Sequence, residues 1–339
     1  MSTTMGTRHD SGFSLVELLV AMTIMLLISG AAVTALLKMT STQATIWNRT
    51  QMHSGIRGAT EVLQQEVGQA GRITLGGSAV TLTANSTSCG TAGCTTTMQV
   101  TSTAGMFEGE RLVIDTHPLQ ETVRIVPGGI TSATSLTVAS VAATGKVLNA
   151  HNNGAPVQVF GAFSAGVVPP LTSPSAYAPS GPTMTFANGS TGDTLKLFGD
   201  INGDGNMVYI EYKCDIPASP STTPGNLTRN VMPWNQTAAS ADATPSQILL
   251  SNIMRNPDGS PCFTYQLNRA DTTYFVTDVA ITLTVQTQLI DRVTKQFQTE
   301  TKALLNVSPR NVFSAWQLAS LGIMERVQPT PPTITSLLQ

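Results

Sequence analysis

Charge is scarce in this sequence. Asp, Glu, Lys and Arg together make up 11% of its 339 residues, against about a quarter in an ordinary globular domain. The net charge of −2 leaves no basic surface to argue for nucleic acid as a partner. Histidine and cysteine number four each, too few for a cluster-rich metalloprotein. The catalytic signatures are missing too. There is no Gly-x-Ser-x-Gly elbow, no His-Glu-x-x-His pair and no Gly-x-x-x-x-Gly-Lys phosphate loop, and the acids outside one short segment are scattered. What fills the space is Thr, Ser, Gly and Asn, with Asn concentrated in the second half. That is an exported, β-rich composition, not a cytosolic enzyme's.

What is present begins with Gly12-Phe13-Ser14-Leu15-Val16-Glu17 and an apolar run that ends at Lys38. Residues 13–37 contain one charged side chain, Glu17. At about 1.5 Å rise per residue, this run as a helix crosses a hydrocarbon core of roughly 30 Å. It is too long for the apolar core of a cleaved signal peptide, which is typically about 7–15 residues. A carboxylate at that depth costs on the order of 3 kcal/mol unless it is paired, so Glu17 is a poor choice for a plain anchor and needs a partner.

These residues resemble the type IV prepilin signature: a glycine, an apolar residue, a glutamate five residues after the glycine, then an uninterrupted hydrophobic helix. The resemblance implies cleavage by a membrane-embedded prepilin peptidase between Gly12 and Phe13, N-methylation of Phe13, and pairing of Glu17 with the Phe13 amino group of a neighbouring subunit. Cleavage creates the cation that neutralises the acid, and methylation leaves its charge in place. Residues 1–12 are then a leader, weakly positive because Arg8 and His9 stand beside Asp10. A plain signal anchor is the competing reading.

Beyond Lys38, Ile46, Met52, Ile56, Ala59, Leu63, Val67 and Ala70 recur at spacings of three, four and six. They predict an amphipathic helix over residues 38–72, with Glu61, Gln65 and Glu66 mostly between the apolar positions; it either continues the membrane half at 13–37 or follows it as a separate helix, depending on residues 38–45. Gly71 is the expected stop.

From residue 73 the pattern changes to short β runs with frequent turn residues. The expected fold class is α+β and pilin-like: a long N-terminal α-helix packed on an antiparallel β-sheet head. The head is assigned to residues 73–97 and 164–311, and a compact β-barrel-like module at 98–160 is inserted in it. The runs starting at Met98, Arg111, Glu121 and Ser135 alternate apolar and polar positions. Gly109–Asp115 and His151–Gly154 resemble a small β-barrel module found in many exported bacterial proteins. His117 and His151, lone histidines at turns, read as solvated or structural.

The Pro-rich stretches 164–190 and 217–245 read as irregular connectors. Residues 279–285 and 297–307 read as an antiparallel pair with Asp291-Arg292 in the connection. Residues 312–339 are expected to form a short helix and a disordered tail.

An even number of cysteines in an exported chain reads as disulfides, and four allow three pairings. The tight Gly-rich loop between Cys89 and Cys94 favours Cys89–Cys94 with Cys214–Cys262. A zinc site competes, but no second close cysteine pair and no nearby histidine supports it.

Asp200, Asn202, Asp204, Gly205 and Glu211 occupy positions 1, 3, 5, 6 and 12 of the calcium-loop pattern, with the Asn206 carbonyl as a further oxygen. The flanking residues alternate like strands, however, and Asn-Gly and Asp-Gly are preferred hairpin-turn dipeptides. A calcium site at Asp200, Asn202, Asp204, Asn206 and Glu211 and a metal-free turn both stand at this level. No cofactor is otherwise required.

The Asp200-x-Asn202-Gly203-Asp204-Gly205 turn before Tyr209-Ile210-Glu211-Tyr212 resembles the PilW-type minor pilins and the related GspJ-type pseudopilins. Leu227-Thr228-Arg229, Leu249-Leu250-Ser251-Asn252-Ile253 and Pro309-Arg310-Asn311 follow in the family's order. The resemblance covers residues 6–72 and 195–311 but not 98–160. It implies a minor pilin of a type IV pilus acting in initiation, assembly or near the tip. The alternatives are a type II secretion pseudopilin or a pilin-anchored adhesive module. The implied partners are other pilins through the N-terminal helix, prepilin peptidase and an inner-membrane assembly platform. The implied location is the inner membrane with a periplasmic head before assembly, and the cell-surface pilus after it.

Overall fold

The computed structural model describes residues 12, 14–76, 78–91, 93–141, 148–170, 188–216, 223–235, 246–271 and 273–338. The expected leader up to Ser11, Phe13, and much of both Pro-rich connectors lie outside the described residues. The chain divides into two units, Met1–His53 with Thr287–Gln298, and Ser54–Gln286 with Thr299–Gln339.

One helix, α1, runs over Leu15–Gln69, 55 residues. Ala, Leu and Met, all strong helix formers, dominate its first half. It stops where expected. Gly71 takes φ +82, and a Cβ there would meet Val312 Cγ2 at 2.8 Å, so both conformation and space demand glycine. In the first unit the apolar side chains from Leu15 to Leu37 are exposed. The hydroxyls they carry along are satisfied on the helix itself: Thr23 donates to the Val20 carbonyl at 2.8 Å and Thr34 to that of Gly30 at 2.5 Å. Internal pairing of this kind is what a lipid environment requires.

Within the second unit, residues 54–70 of the same helix behave differently. Ile56, Ala59, Leu63, Val67 and Ala70 are buried, none more than 2% exposed. Leu250 Cδ1 lies 3.3 Å from the place a Cβ would occupy at Gly55. Ile46, predicted for the same stripe, is 59% exposed instead. It lies six residues before the next stripe member, off the regular three-and-four repeat.

The larger sheet is antiparallel and seven-stranded. In spatial order it contains Phe263–Ala270, Thr273–Gln286, Gln247–Met254, Gly225–Pro233, Val208–Asp215 and Thr194–Gly199, and Thr299–Val307 also pairs with Thr273–Gln286. Cys214 and Cys262 are bonded across it, Cα–Cα 6.6 Å.

The smaller, six-stranded sheet is ordered Val80–Thr81, Pro156–Val159, Arg111–Ile114, Glu121–Ser132, Ser135–Ser140, Thr95–Gln99. Its ends meet. Leu82 bridges Val100, Thr83 N donates to Gln99 O at 2.8 Å, and Thr101 N donates to Thr81 O at 2.9 Å, so the strands form a ring. The ring encloses Leu82, Met98, Leu112, Ile125, Leu136 and Val138, among others. It begins at Val80, ahead of the predicted module start at 98. The strands that close it are a two-residue run and the Thr-rich 95–97, and neither shows apolar alternation in the sequence. Cys89 and Cys94 are bonded inside this segment, Cα–Cα 6.2 Å.

Two further expectations are corrected. Residues 164–168, predicted as loose connector, are buried, and Val167 bridges Leu197. They lie against the end of α1: Phe163 N donates to Gly71 O at 2.9 Å, and Phe198 N to Gly166 O at 2.8 Å.

The C-terminal stretch is not disordered. After helix α2 (Arg310–Ser320), Val327–Gln328 pairs in parallel with Ala162–Phe163, and a last helix α3 covers Pro332–Leu338. Pro332 suits a first helical position, and Ile334 and Leu337, three apart, join Phe107, Phe163, Phe198 and Met207 in one core. Gln328, fully buried, donates to the carbonyls of Arg111 and Phe160, both at 2.9 Å, and accepts from Arg111 N at 3.0 Å. One amide therefore ties the ring of strands to the C-terminal segment.

Candidate functional site

The candidate site is the start of α1. Gly12 precedes the helix in an exposed position, and Phe13 lies outside the described residues. Ser14 and Glu17 bond reciprocally: Ser14 N donates to Glu17 Oε2 at 3.0 Å, and Glu17 N donates to Ser14 Oγ at 3.3 Å. This is a capping box, in which a Ser at the helix cap and a Glu three residues on satisfy two otherwise orphaned N–H groups. Glu17 thus has work within its own chain, and the Ser-x-x-Glu spelling already carried that signal. The carboxylate is exposed.

The predicted calcium ligands are placed elsewhere and do not converge. Asp200 is 1% exposed, and its Oδ2 lies 3.5 Å from Arg72 Nε. Its N–H donates to Arg72 O at 2.8 Å. Asp204 Oδ1 accepts from Asn206 N at 2.9 Å, an Asx turn, while Gly203 and Gly205 take φ +71 and +84. Asn202 and Asn206 are exposed. Glu211, mid-strand, stands 3.9 Å from Lys196 Nζ and accepts from Tyr209 Oη at 3.4 Å. Burial lowers the Lys196 ammonium from its usual range.

Among the described residues no group of three or more His, Cys, Asp and Glu side chains is arranged to hold a metal ion. Among the buried side-chain atoms here, Asp200 Oδ1 has no hydrogen-bond partner, and calcium asks for six to eight oxygens. The segment is a hairpin connection whose first acid is matched by an arginine, and the residues present do not fit the metal.

Two buried polar groupings escaped the sequence reading. Glu66, predicted to lie mostly off the packed face of α1, is 8% exposed. Arg229 grips it with two nitrogens, Nη2 at 2.5 Å and Nε at 3.2 Å, and Tyr212 Oη donates to the same carboxylate. Burial, then the Glu66 charge, pushes the Tyr212 phenol up. In the six-stranded ring, His151 is 1% exposed. Its Nδ1 lies 3.1 Å from Asp115 Oδ2 and its Nε2 lies 2.7 Å from Glu121 Oε1. The Thr116 N–H, then His151, holds the Asp115 carboxyl below its usual range. Asp115 follows the strand that ends at Ile114, Glu121 opens the next strand and His151 comes from a loop, so the trio is a structural clasp.

Residues 7–33 match the prokaryotic N-terminal methylation motif. This end of the chain is type IV pilin-like. The match holds Gly12, Phe13, Ser14 and Glu17 together with most of the exposed apolar helix, whose best 18-residue window has a mean hydropathy of 2.3. With the antiparallel sheets that follow, it gives a pilin-like α+β architecture and points to a structural subunit processed by prepilin peptidase and anchored in a membrane. Comparisons with curated proteins and with solved structures returned no match.

Proposed function

We propose that this chain is a minor pilin of a type IV pilus, cut between Gly12 and Phe13, methylated at Phe13, and incorporated through α1. The observation that carries the reading is the start of that helix: a methylation motif, an exposed apolar run, and a single acid held at its first turn. In the assembled state Glu17 exchanges its bond to Ser14 N for the Phe13 amine of a neighbour, a charge-assisted bond of greater strength. Its partners are other pilins, the peptidase and an inner-membrane platform. The head is periplasmic before assembly and on the cell surface after it. The PilW-type order of head motifs supports a place in initiation or near the tip. The GspJ-type resemblance makes a type II secretion pseudopilin the neighbouring assignment.

The test is mass spectrometry of the mature protein together with piliation counts. N-methyl-phenylalanine from Phe13, precursor accumulation in Gly12→Ala, and lost surface pili on deletion are expected. Normal maturation of Gly12→Ala overturns the cleavage assignment. Normal piliation combined with blocked enzyme secretion transfers the chain to a secretion system.

One observation favours an added role. The six-stranded ring is a closed unit with its own core, joined to the rest partly through Gln328. It is suited to be a carried binding module. Its removal should abolish adhesion while leaving assembly intact, and unchanged adhesion would sink this reading.

A further inference from the structure

We propose that the connection Thr287–Gln298 is a second membrane contact, a foot that rests on the anionic lipid surface beside the point where α1 leaves the bilayer. This connection belongs to the same unit as the apolar half of α1. It is fastened to the helix: Asn48 Nδ2 donates to Leu289 O at 2.7 Å, and Thr45 Oγ1 donates to Asp291 Oδ1 at 3.0 Å. The two bonds set its direction. As the connection advances from Leu289 to Asp291, its partner on α1 steps back from Asn48 to Thr45, toward Lys38 and the apolar run. The turn at residues 292–296 therefore lies level with Thr45 or nearer the membrane. Thr45 is about 10 Å along the helix from Lys38 at 1.5 Å rise per residue. The headgroup zone reaches roughly 5–8 Å beyond the hydrocarbon core, and surface charge is felt over about a further 8 Å.

What the foot presents fits that surface. Leu289, Ile290, Val293 and Phe297 are 64%, 51%, 66% and 45% exposed, a poor arrangement in water for a loop with so few residues. Arg292 and Lys295 are exposed among them, and the one acid, Asp291, is turned inward. It accepts from Val293 N at 2.7 Å and Thr294 N at 3.4 Å as well as from Thr45. The outward charge is thus wholly positive and interleaved with apolar side chains, the combination that binds an anionic bilayer interface. Trp47, on the adjoining turn of α1, is 71% exposed, and tryptophan favours the headgroup level.

The inference needs only that the apolar half of α1 inserts, whether or not the chain is a pilus subunit. The full chain carrying Val293→Cys, labelled with an environment-sensitive fluorophore, is reconstituted into vesicles of phosphatidylethanolamine and phosphatidylglycerol that contain headgroup nitroxide lipids. Strong quenching is expected. It should fall severalfold in phosphatidylcholine vesicles, and again when Arg292→Glu and Lys295→Glu are added; both side chains are exposed, so the fold is retained. Background quenching in the anionic vesicles overturns the proposal, as does quenching indifferent to lipid charge and to both reversals. Label burial that rises with protein density and not with lipid charge assigns the surface to a second copy of this chain, which also overturns it.

Discussion

The two halves of α1 have the same backbone and opposite surroundings. From Leu15 to Leu37 apolar side chains point in every direction and are exposed; from Ser54 to Ala70 one face alone is apolar, and that face is buried. The first half asks for a solvent that is itself apolar on all sides. The second asks for one partner surface and finds it in the larger sheet. Periodicity separates the two uses in the sequence, but it does not show which polar residues join the buried face. Glu66 sits on that face because Arg229 and Tyr212 are there to receive it.

The sharpest break in the comparison is at that pair. Arg229→Ala leaves the Glu66 carboxylate buried and unmatched and should cost about 3–5 kcal/mol, read as a lower unfolding temperature of the full chain in detergent. Replacing both, Glu66→Leu with Arg229→Met, should recover most of the loss, since paired removal of a buried ion pair is often neutral. Leu63→Ala, at a fully buried position, should cost about 2–5 kcal/mol. Leu26→Ala, 72% exposed in the apolar half, should leave the same unfolding transition within about 0.5 kcal/mol. Equal losses at 63 and 26 would erase the distinction between the halves.

A smaller effect is expected in the ring of strands, from Glu110. Its side chain is fully buried, and burial raises its carboxyl well above 4.5, partly offset by the Phe107 N–H. The folded chain therefore holds a proton that the unfolded chain releases above that value. The stabilisation is complete below pH 4.5 and is lost as pH rises through the folded value. Glu110→Gln should flatten that part of the pH dependence of the urea midpoint. An unchanged slope would show that the group ionises freely in the fold. The smallest effect belongs to the helix start. Ser14→Ala removes half of the capping box and should cost the first turn about 1 kcal/mol, seen as faster amide exchange at residues 15–18.

Much of this architecture was legible. The long helix, its stop at Gly71 and the strand runs from Arg111, Glu121 and Ser135 all declare themselves by period and punctuation. The N-terminal methylation motif was legible because it is written in adjacent residues. What escaped was long-range or short in the chain. The ring closes through two-residue Val80–Thr81, which carries no pattern. Gln328 looks like any tail residue until Arg111 and Phe160 surround it. The acidic loop stays open at the sequence level because the spelling of a calcium loop and that of an Asx turn overlap; Arg72, which meets Asp200, lies far away in the sequence. The Ser14 cap is spelled locally, but the same Glu17 also fits the prepilin signature, so one residue serves two patterns.

Closure of the six-stranded sheet has a further consequence. Leu82 meeting Val100 pairs the backbone groups that a flat sheet would offer at its rims. A subunit crowded among copies of itself gains from this, because a rim-less sheet cannot recruit a foreign strand and seed aggregation. The same closure narrows how the ring can recognise anything. Strand addition is barred, so a ligand must be read by the turns and side chains at its ends.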